Sequence, residues 1–244
     1  MKAVITAGGR IDGAFAQVAG TQVKALANLR GMTMLERVVE SLRACGVTRI
    51  AIVGGAEVRA SFASRVEAIV DESPSGSQNL LRALRAWPED GEALLYATSD
   101  LPYVTAAAVG DFVDRLDPGA IAVSLSEFAA YASRFPGSPA AGITLGGERV
   151  VNGGIFSIPA GASAPIANTA SRFFEARKQP WRMAGLVSPP ALLRFLFGRL
   201  RIADLEAEAT RVLAYPARAV RNCAPELAFD VDGIAEYEYV CAQA

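Results

Sequence analysis

The chain contains 244 residues, of which 52% are hydrophobic and 20% are charged, and its 24 basic and 25 acidic residues give a formal net charge of −1. These values exclude a disordered, collagenous or disulfide-dense chain, and the balanced charge gives no electrostatic footprint for nucleic acid. The chain has no histidine, which excludes Ser-His-Asp and Cys-His catalysis and histidine-containing zinc sites. We therefore expect any chemistry to depend on carboxylates, Lys, Arg, backbone amides and a hard metal ion.

The cysteines and the N-terminus indicate the compartment. Cys45, Cys223 and Cys241 are scattered and form no C-x-x-C pair, which favours reduced thiols. The apolar run after Met1 is too short for a signal peptide, and no segment has the 18 or more consecutive apolar residues of a membrane span. We expect a soluble, cytoplasmic protein.

The first half of the chain alternates short apolar runs with helix-like stretches. The runs predict strands at Lys2–Thr6, Arg49–Val53, Val66–Val70, Leu94–Thr98 and Ala120–Leu125. Helices are predicted from a Thr33-x-x-Glu36 capping box to a stop at Gly46, over Ser77–Trp87 and over Thr105–Leu116. This alternation is typical of βαβ units, so we predict an α/β fold of three layers with a mainly parallel central sheet. Ligands in such sheets lie beyond the carboxyl ends of the strands.

The second half is less regular. Gly137–Gly147 is interpreted as a hairpin or an excursion over the site, and Val150–Ile158 as a strand-like run. Further helices are predicted over Ile166–Lys178, Pro190–Phe197, Ile202–Leu213 and Ile234–Cys241. Because no internal repeat or convincing linker divides the chain, we treat residues 1–244 as one domain.

A glycine loop, TAGGRIDG, follows the first strand at Thr6–Gly13. Glycines at a strand end let backbone amides approach an anion, so the loop is either a phosphate cradle or an ordinary tight turn. It is neither a P-loop nor a dinucleotide fingerprint, because Arg10 stands where the middle glycine of the latter would be. Lys24 follows among apolar neighbours in VKAL, a poor setting for a surface lysine and a better one for a residue that reaches a phosphate.

Three aspartates are candidate ligands for a cation. Asp100 directly follows an apolar strand, where it is either a carboxylate at the ligand-binding edge or a helix cap. Asp230 and Asp232 alternate with Phe229 and Val231, so on a strand both carboxylates would share one face. Two such charges favour either a bound cation or a polar surface. With Asp100 they supply the oxygen ligands that Mg²⁺ prefers.

Two further segments allow two interpretations each. Asn152-Gly153-Gly154 interrupts a strand, through either a bulge or the close approach of a ligand. Trp181–Leu205 is apolar with interspersed arginines. We favour core helices for it over a dimer face or a membrane-surface helix, which leaves open a homo-oligomer.

Together these segments resemble the nucleoside-triphosphate transferases of the glycosyltransferase-A type fold, and most closely the subgroup around molybdenum cofactor guanylyltransferase. The matching motifs, in the family's order and over nearly the whole chain, are VITAGGR, VKAL, LRGMTMLERVVESL, SDLP, VNGGIF and FDVDGIAEYEYV.

The resemblance implies Mg²⁺-dependent transfer of a nucleoside monophosphate from a nucleoside triphosphate (NTP) to a small phosphorylated acceptor, with release of pyrophosphate. In that reaction Lys24, Arg10 and Asp100 would be catalytic, and Asp100 with Asp230 or Asp232 would hold Mg²⁺. Asn152 and Gly153 would contact the acceptor. The nucleotide would be bound by Ala7, Gly8, Gly9, Arg10, Lys24, Gly76, Ser77 and Asn79.

One departure from the family keeps two other functions open. Many members carry an arginine near the end of the glycine loop, where this chain has Gly13-Ala14-Phe15 and has Arg10 earlier instead. A non-catalytic nucleotide- or partner-binding module is therefore one alternative. A glycosyltransferase that uses a nucleotide-sugar is the other, although its mid-chain Asp-x-Asp is missing here.

Overall fold

The computed structural model describes residues 1–139, 142–176 and 185–243. The strands of the described residues are β1 (Lys2–Thr6), β2 (Asn28–Leu29), β3 (Met32–Thr33), β4 (Arg49–Gly54), β5 (Ala68–Asp71), β6 (Leu94–Thr98), β7 (Ile121–Glu127), β8 (Ile143–Leu145), β9 (Glu148–Ile158) and β10 (Ala217–Val220). The helices are α1 (Gly13–Ala19), α2 (Met34–Ala44), α3 (Ala56–Phe62), α4 (Gly76–Leu84), α5 (Ala106–Asp114), α6 (Phe128–Arg134), α7 (Ser163–Ala176), α8 (Pro189–Leu196), α9 (Ile202–Leu213) and α10 (Ile234–Ala242).

A mixed sheet forms the centre of the fold, with the strand order β10-β7-β9-β6-β1-β4-β5 and β8 paired to β9. β1 pairs in parallel with β4 and β6, β4 with β5, and β7 with β10. β9 runs antiparallel to both β6 and β7. The α/β fold with a mainly parallel sheet is therefore confirmed, and the carboxyl ends of β1, β6 and β4 meet at one edge.

Helices cover both faces of the sheet and give the predicted three layers. On one face α2, α3 and α5 pack on the strands, and the shared core includes Ile5, Val38, Ile52 and Phe112. On the other face α4 and α7 contribute to a second core, on which Leu213 of α9 also packs. The side chains of each strand alternate between these two cores, as the pleat of a sheet requires.

The capping box at the start of α2 is present as predicted. The Glu36 backbone N–H donates to Thr33 Oγ1 at 3.1 Å, and the Thr33 N–H donates to Glu36 Oε2 at 2.7 Å. Leu35, Val38 and Val39 then face the core. The N–H of Met34, the first residue of α2, also donates to Ala27 O at 3.2 Å. This bond connects the start of α2 to the segment that carries Lys24.

Several elements were missing from the sequence predictions or differ from them. Helices α1, α3 and α6 have only seven residues each, and β10 only four, too few for a periodic pattern to stand out. Residues 229–232 join no strand of the described sheet, but the expected alternation holds, since Phe229 and Val231 are buried and Asp230 and Asp232 are exposed. The Gly137–Gly147 region contains β8, which forms a hairpin with the following β9, and residues 140–141 of the region lie outside the description.

The apolar Trp181–Leu205 stretch is only partly core; its first four residues and the end of the predicted Ile166–Lys178 helix lie outside the described residues. Ala191, Leu200 and Ile202 are buried against Leu145 and Val150. The core interpretation is wrong for the end of α8 and the residue after it, where Leu193, Phe195, Leu196 and Phe197 are exposed, the last by 74%. Among the described residues, no helix combines the length and the hydropathy needed to cross a bilayer.

We predict that Thr33→Ala lowers the free energy of unfolding by about 1 kcal/mol, because the variant loses the side-chain cap of α2. In a domain of this size the melting temperature falls by about 2 to 4 °C, measurable by differential scanning fluorimetry. Thr144→Ala on the exposed strand β8 is the control, since surface substitutions change stability by less than about 0.5 kcal/mol. Equal melting temperatures for both variants would show that the cap contributes nothing.

Candidate functional site

A cleft of about 1310 Å³ opens at the carboxyl edge of β1 and β6 and continues along the sheet. Its polar lining combines strand ends, the glycine loop and the C-terminal aspartates. The predicted site residues that line it are Gly8, Gly9, Lys24, Gly76, Asn79, Asp100, Asn152, Gly153, Asp230 and Asp232. Segments far apart in sequence are thus brought together at the edge where the α/β topology predicts a ligand.

The glycine loop is held by backbone hydrogen bonds on both sides. Ala7 is fully buried and its N–H donates to Val53 O at 2.8 Å, so this amide is already used within the sheet. The Lys24 N–H donates to Gly9 O at 2.9 Å. A Cβ on Gly8 would lie 2.6 Å from Glu72 Oε2 and 2.8 Å from Asn79 Nδ2. The backbone at Gly8 therefore lies where no larger residue fits without displacing these side chains.

Lys24 is the central cation of the cleft. Its Nζ donates to Asp100 Oδ2 at 2.5 Å and lies 3.7 Å from Asp232 Oδ1. Burial lowers the pKa of Lys24, but attraction and hydrogen bonding to Asp100 outweigh burial, so its pKa lies above the ordinary value. Lys24 is therefore a permanently charged ammonium at neutral pH and cannot act as a general base.

Two buried hydrophobic residues hold in place the segment that carries Asp230 and Asp232. Phe229 and Val231 are completely buried, and the Val231 N–H donates to Asp100 O at 3.0 Å. This bond ties the C-terminal segment to the end of β6. Solvent reaches Asp230 through the cleft, yet desolvation by the surrounding protein, together with repulsion from Asp232 and Asp100, raises its pKa to about 7. The carboxylates are thus close enough to disfavour one another's charge.

The aspartates fit a hard divalent cation. Asp100 Oδ1 is buried and has no hydrogen-bond partner in the structure, and Asp230 needs a positive charge to ionise fully at neutral pH. Across the described ranges, no three acidic, histidine or cysteine side chains form a complete metal cage. Mg²⁺ does not need such a cage, because it is held by one or two carboxylates together with substrate phosphates and water.

The Asn152-Gly153-Gly154 segment contains the bulge that was one of its two interpretations, and its glycines lie close to other residues of the protein. The register of β9 against β7 shifts between Val123 and Leu125, which marks a bulge. A Cβ on Gly153 would collide with Ser124 Oγ, and a Cβ on Gly154 would lie 2.5 Å from Thr98 Oγ1. Both glycines therefore allow β9 to pack closely on its neighbours at the edge of the cleft.

The segment predicted to contact the base is only partly in the cleft. Gly76 lines it, and Asn79 both lines it and shapes the preceding loop by bonding Ser73 through its Oδ1 and its Nδ2, at 2.6 and 2.9 Å. Ser77 is buried instead, and its hydroxyl donates to Glu175 Oε1 at 2.6 Å. The structure thus gives the Ser77 side chain a partner in α7 and does not direct it into the cleft.

Arg10 also lies away from the cleft lining. Its guanidinium donates to Glu57 Oε1 at 2.7 Å and to Glu72 Oε1, and these two glutamates hold the pKa of Arg10 above its ordinary value. The second oxygen of Glu72, Oε2, is buried without a hydrogen-bond partner. Arg10 is therefore engaged by acidic side chains beside the glycine loop, and it is not among the residues that line the cleft.

The sequence interpretation missed other residues of the cleft. Thr6 and Thr98 line it as the last residues of β1 and β6, and Thr6 Oγ1 is hydrogen-bonded to Tyr96 at 2.9 Å. Their position at strand ends on the predicted ligand edge was the signal that could have identified them. The apolar lining by Phe156 and Ile158 carried no such signal, because alternating apolar residues are ordinary in a strand.

Residues 3–135, more than half of the chain, match the family model described as the MobA-like NTP transferase domain. No curated protein matches the sequence significantly.

The fold has solved relatives over almost its full length. A hypothetical transferase from Thermus thermophilus is 29% identical, with a TM-score of 0.84, and the match covers 98% of this chain and 100% of that one. A nucleotidyl transferase from Methanothermobacter thermautotrophicus is 17% identical, with a TM-score of 0.60 and coverages of 99% and 96%. A Mycobacterium tuberculosis protein solved in complex with manganese is 16% identical, with a TM-score of 0.55 and coverages of 100% and 98%.

We predict that Asp230→Asn stabilises the ligand-free chain, and more so at pH 8 than at pH 5. The folded-state pKa of Asp230 lies above the ordinary value of 3.8, so its ionisation increasingly opposes folding as the pH rises towards about 7. The Asn side chain does not ionise, so it does not oppose folding as the pH rises. Melting temperatures of the two proteins, measured across this range without divalent cations, test the prediction.

Asp114→Asn is the matched control, because it removes one carboxylate from the exposed end of α5. A melting-temperature difference between Asp230→Asn and the parent that is the same at both pH values would contradict the crowding of charge in the cleft.

Proposed function

Because the chain belongs to the MobA-like NTP transferase family, whose members are nucleotidyltransferases, we propose that it transfers a nucleoside monophosphate from an NTP to a phosphorylated acceptor with Mg²⁺ and releases pyrophosphate. The observation that carries the proposal is the convergence of Gly8, Gly9, Lys24 and the three aspartates on one cleft. We also propose that the chain works as a single domain.

The phosphates are placed by the loop and the lysine. Backbone amides of Gly8 and Gly9 approach the β- and γ-phosphates, and the Lys24 ammonium neutralises charge that develops on the triphosphate. An acceptor phosphate oxygen attacks the α-phosphorus in line, the bond to the bridging oxygen breaks, and pyrophosphate leaves. A phosphate acceptor is already ionised, so the absence of histidine from the chain is no obstacle.

Asp100 and Asp230 would hold the cation beside the acceptor and the α-phosphate, while the more exposed Asp232 lies close to Lys24. Bound Mg²⁺ supplies charge neutralisation and orients the reacting oxygens. Asp100 Oδ1 is buried and has no hydrogen-bond partner, which supports it as a ligand of the cation. The Lys24–Asp100 pair positions both charges, since each holds the other within the cleft.

The remaining contacts divide between the two substrates. Gly76 and Asn79 stand on the α4 side of the cleft and would contact the base, with Ser77 acting through the packing of α4 on α7. The Ala7 amide is used by the sheet, so Ala7 would support the loop and not bind directly. Asn152 and Gly153 stand on the β9 side and would contact the acceptor.

Arg10 would join the triphosphate by exchanging partners. Its pair with Glu57 is exposed, with 45% of the Arg10 side chain and 52% of the Glu57 side chain accessible, whereas Glu72 is 16% accessible. Exposed ion pairs contribute only about 0 to 1 kcal/mol. A triphosphate carries more charge than either glutamate and competes for the guanidinium.

We expect one of the four ribonucleoside triphosphates to raise the melting temperature of the parent chain by about 5 to 10 °C with Mg²⁺, at a concentration near 100 times its dissociation constant. Asp100→Asn removes the Mg²⁺-dependent part of this shift, because the variant lacks the carboxylate that holds the cation. Differential scanning fluorimetry with and without Mg²⁺ measures both effects.

Asp111→Asn on the surface of α5 is the control and keeps the full shift. A shift with Mg²⁺ that is undiminished in Asp100→Asn would remove Asp100 from the metal site. The absence of a shift with all four nucleotides in the parent chain would overturn the proposed function.

We expect Lys24→Ala to weaken binding of the selected NTP by about 10- to 100-fold, since a buried ammonium contributes a charged hydrogen bond of about 1.5 to 3 kcal/mol. Arg10→Ala weakens it by less than about tenfold, because release from two glutamates offsets part of the gain. Isothermal titration calorimetry measures both constants. A larger loss in Arg10→Ala than in Lys24→Ala would reverse the two roles.

A further inference from the structure

We infer that the acceptor is a phosphate monoester carried on a long apolar chain, with its phosphate at the aspartates and its chain along the floor of the cleft. The inference rests on the proposed function and concerns the half of the cleft that the nucleotide does not need. It is carried by a change from polar to apolar lining along the cleft.

The change is clearest along β9, one face of which borders the cleft. Asn152, Gly154, Phe156 and Ile158 all line it, as expected for alternate residues of one strand. Six residues of a strand span about 20 Å. The lining of this strand is therefore polar at the site end and apolar about 20 Å away.

The neighbouring elements show the same order. On β6 the lining passes from Asp100 through Thr98 to Tyr96, and on α4 from Gly76 and Asn79 to Leu80 and Leu84. Each element has its polar residues at the carboxyl edge of the sheet. A ligand with one charged end and one apolar end would match this order.

The cover over the apolar part comes from two helices. Ile166, Ala170 and Phe173 of α7 lie on one helical face, and Ala209, Val212 and Leu213 of α9 lie on another, and all six line the cleft. α9 has twelve residues but buries only Ile202. Ala209, Val212 and Leu213 are half-buried, so the inner apolar face of α9 borders the cleft, although Leu213 also packs on the second core.

The volume of the cleft is enough for two ligands. Two of its lining residues on the covering helices, Ala170 and Ala209, are small. The cleft of about 1310 Å³ is larger than the range of about 300 to 1,000 Å³ usual for single small-molecule sites. It has room for a nucleotide at the loop and for an apolar chain along the sheet.

The test measures how affinity depends on chain length, with butyl, hexyl and octyl phosphate as probes below their micelle-forming concentrations. Burial of each added methylene strengthens binding by about fourfold, so octyl phosphate should bind about 100-fold or more tightly than butyl phosphate. Titrations use the full chain with Mg²⁺ and the NTP selected by thermal shift. A parallel series presents long-chain alkyl phosphate in phosphatidylcholine vesicles.

Two tryptophan variants on α9 localise the chain. Ala209→Trp fills the apolar part of the cleft and should reduce the chain-length gain to less than about threefold in total while butyl phosphate binds as before. Ala207→Trp is the matched control, because Ala207 is exposed on the same helix and the gain should persist. A gain that survives equally in both variants would place the chain elsewhere and overturn the inference.

The two probe series distinguish the sources of such an acceptor. A gain with monomeric alkyl phosphates supports a free amphiphile, and a gain only with vesicles supports a lipid, and each agrees with an apolar chain. Mg²⁺-dependent NTP binding without any gain in either series would overturn this inference and leave the proposed function intact. The loss of NTP binding itself would instead count against the proposed function.

Discussion

The balance of one ammonium against three carboxylates is the constraint on which the site depends. Lys24 is shared by Asp100 and Asp232 at 2.5 and 3.7 Å, while desolvation and repulsion from Asp232 and Asp100 raise the pKa of Asp230 to about 7. Such crowding opposes folding at neutral pH. In the proposed function a divalent cation, bound together with the phosphates that bring its remaining ligands, would relieve it. The hydrophobic anchors Phe229 and Val231, with the bond from Val231 N–H to Asp100 O, are what hold the carboxylates together against this repulsion.

The fold and most of the site could be predicted from the sequence because both are encoded by short-range patterns. When a buried parallel strand is followed by glycines or by Ser99-Asp100, those residues lie at the carboxyl edge of the sheet. The direction in which a side chain points was harder to predict from the sequence. Arg10 was expected at the triphosphate, yet it pairs with Glu57 and Glu72, which lie 47 and 62 residues away and come from two other segments. Ser77 likewise turns to Glu175 in α7, a partner that no local motif indicates.

The elements that escaped prediction are those whose existence depends on tertiary contacts. β10 contains four residues and is defined by its parallel pairing with β7, and α3 and α6 are short helices that long-range packing stabilises. The alternation of Phe229 to Asp232 predicted which side chains point inwards but not whether the segment would join the sheet. Period-2 burial requires only an extended backbone packed on one side, so it occurs without strand pairing.

The apolar half of the cleft follows from the same distinction between pattern and packing. In the sequence, Phe156 and Ile158 have the pattern of ordinary core positions of a strand. Ala209, Val212 and Leu213 have the pattern of the inner face of an amphipathic helix. Each pattern alone predicts a filled core. All five of these residues nevertheless line one cleft. The polar end and the apolar end of the cleft can bind a single ligand together only if that ligand also has one polar end and one apolar end. A small, wholly polar acceptor would leave the half-buried Phe156, Val212 and Leu213 partly against water. An apolar chain would remove the same surface from water and convert its burial into affinity.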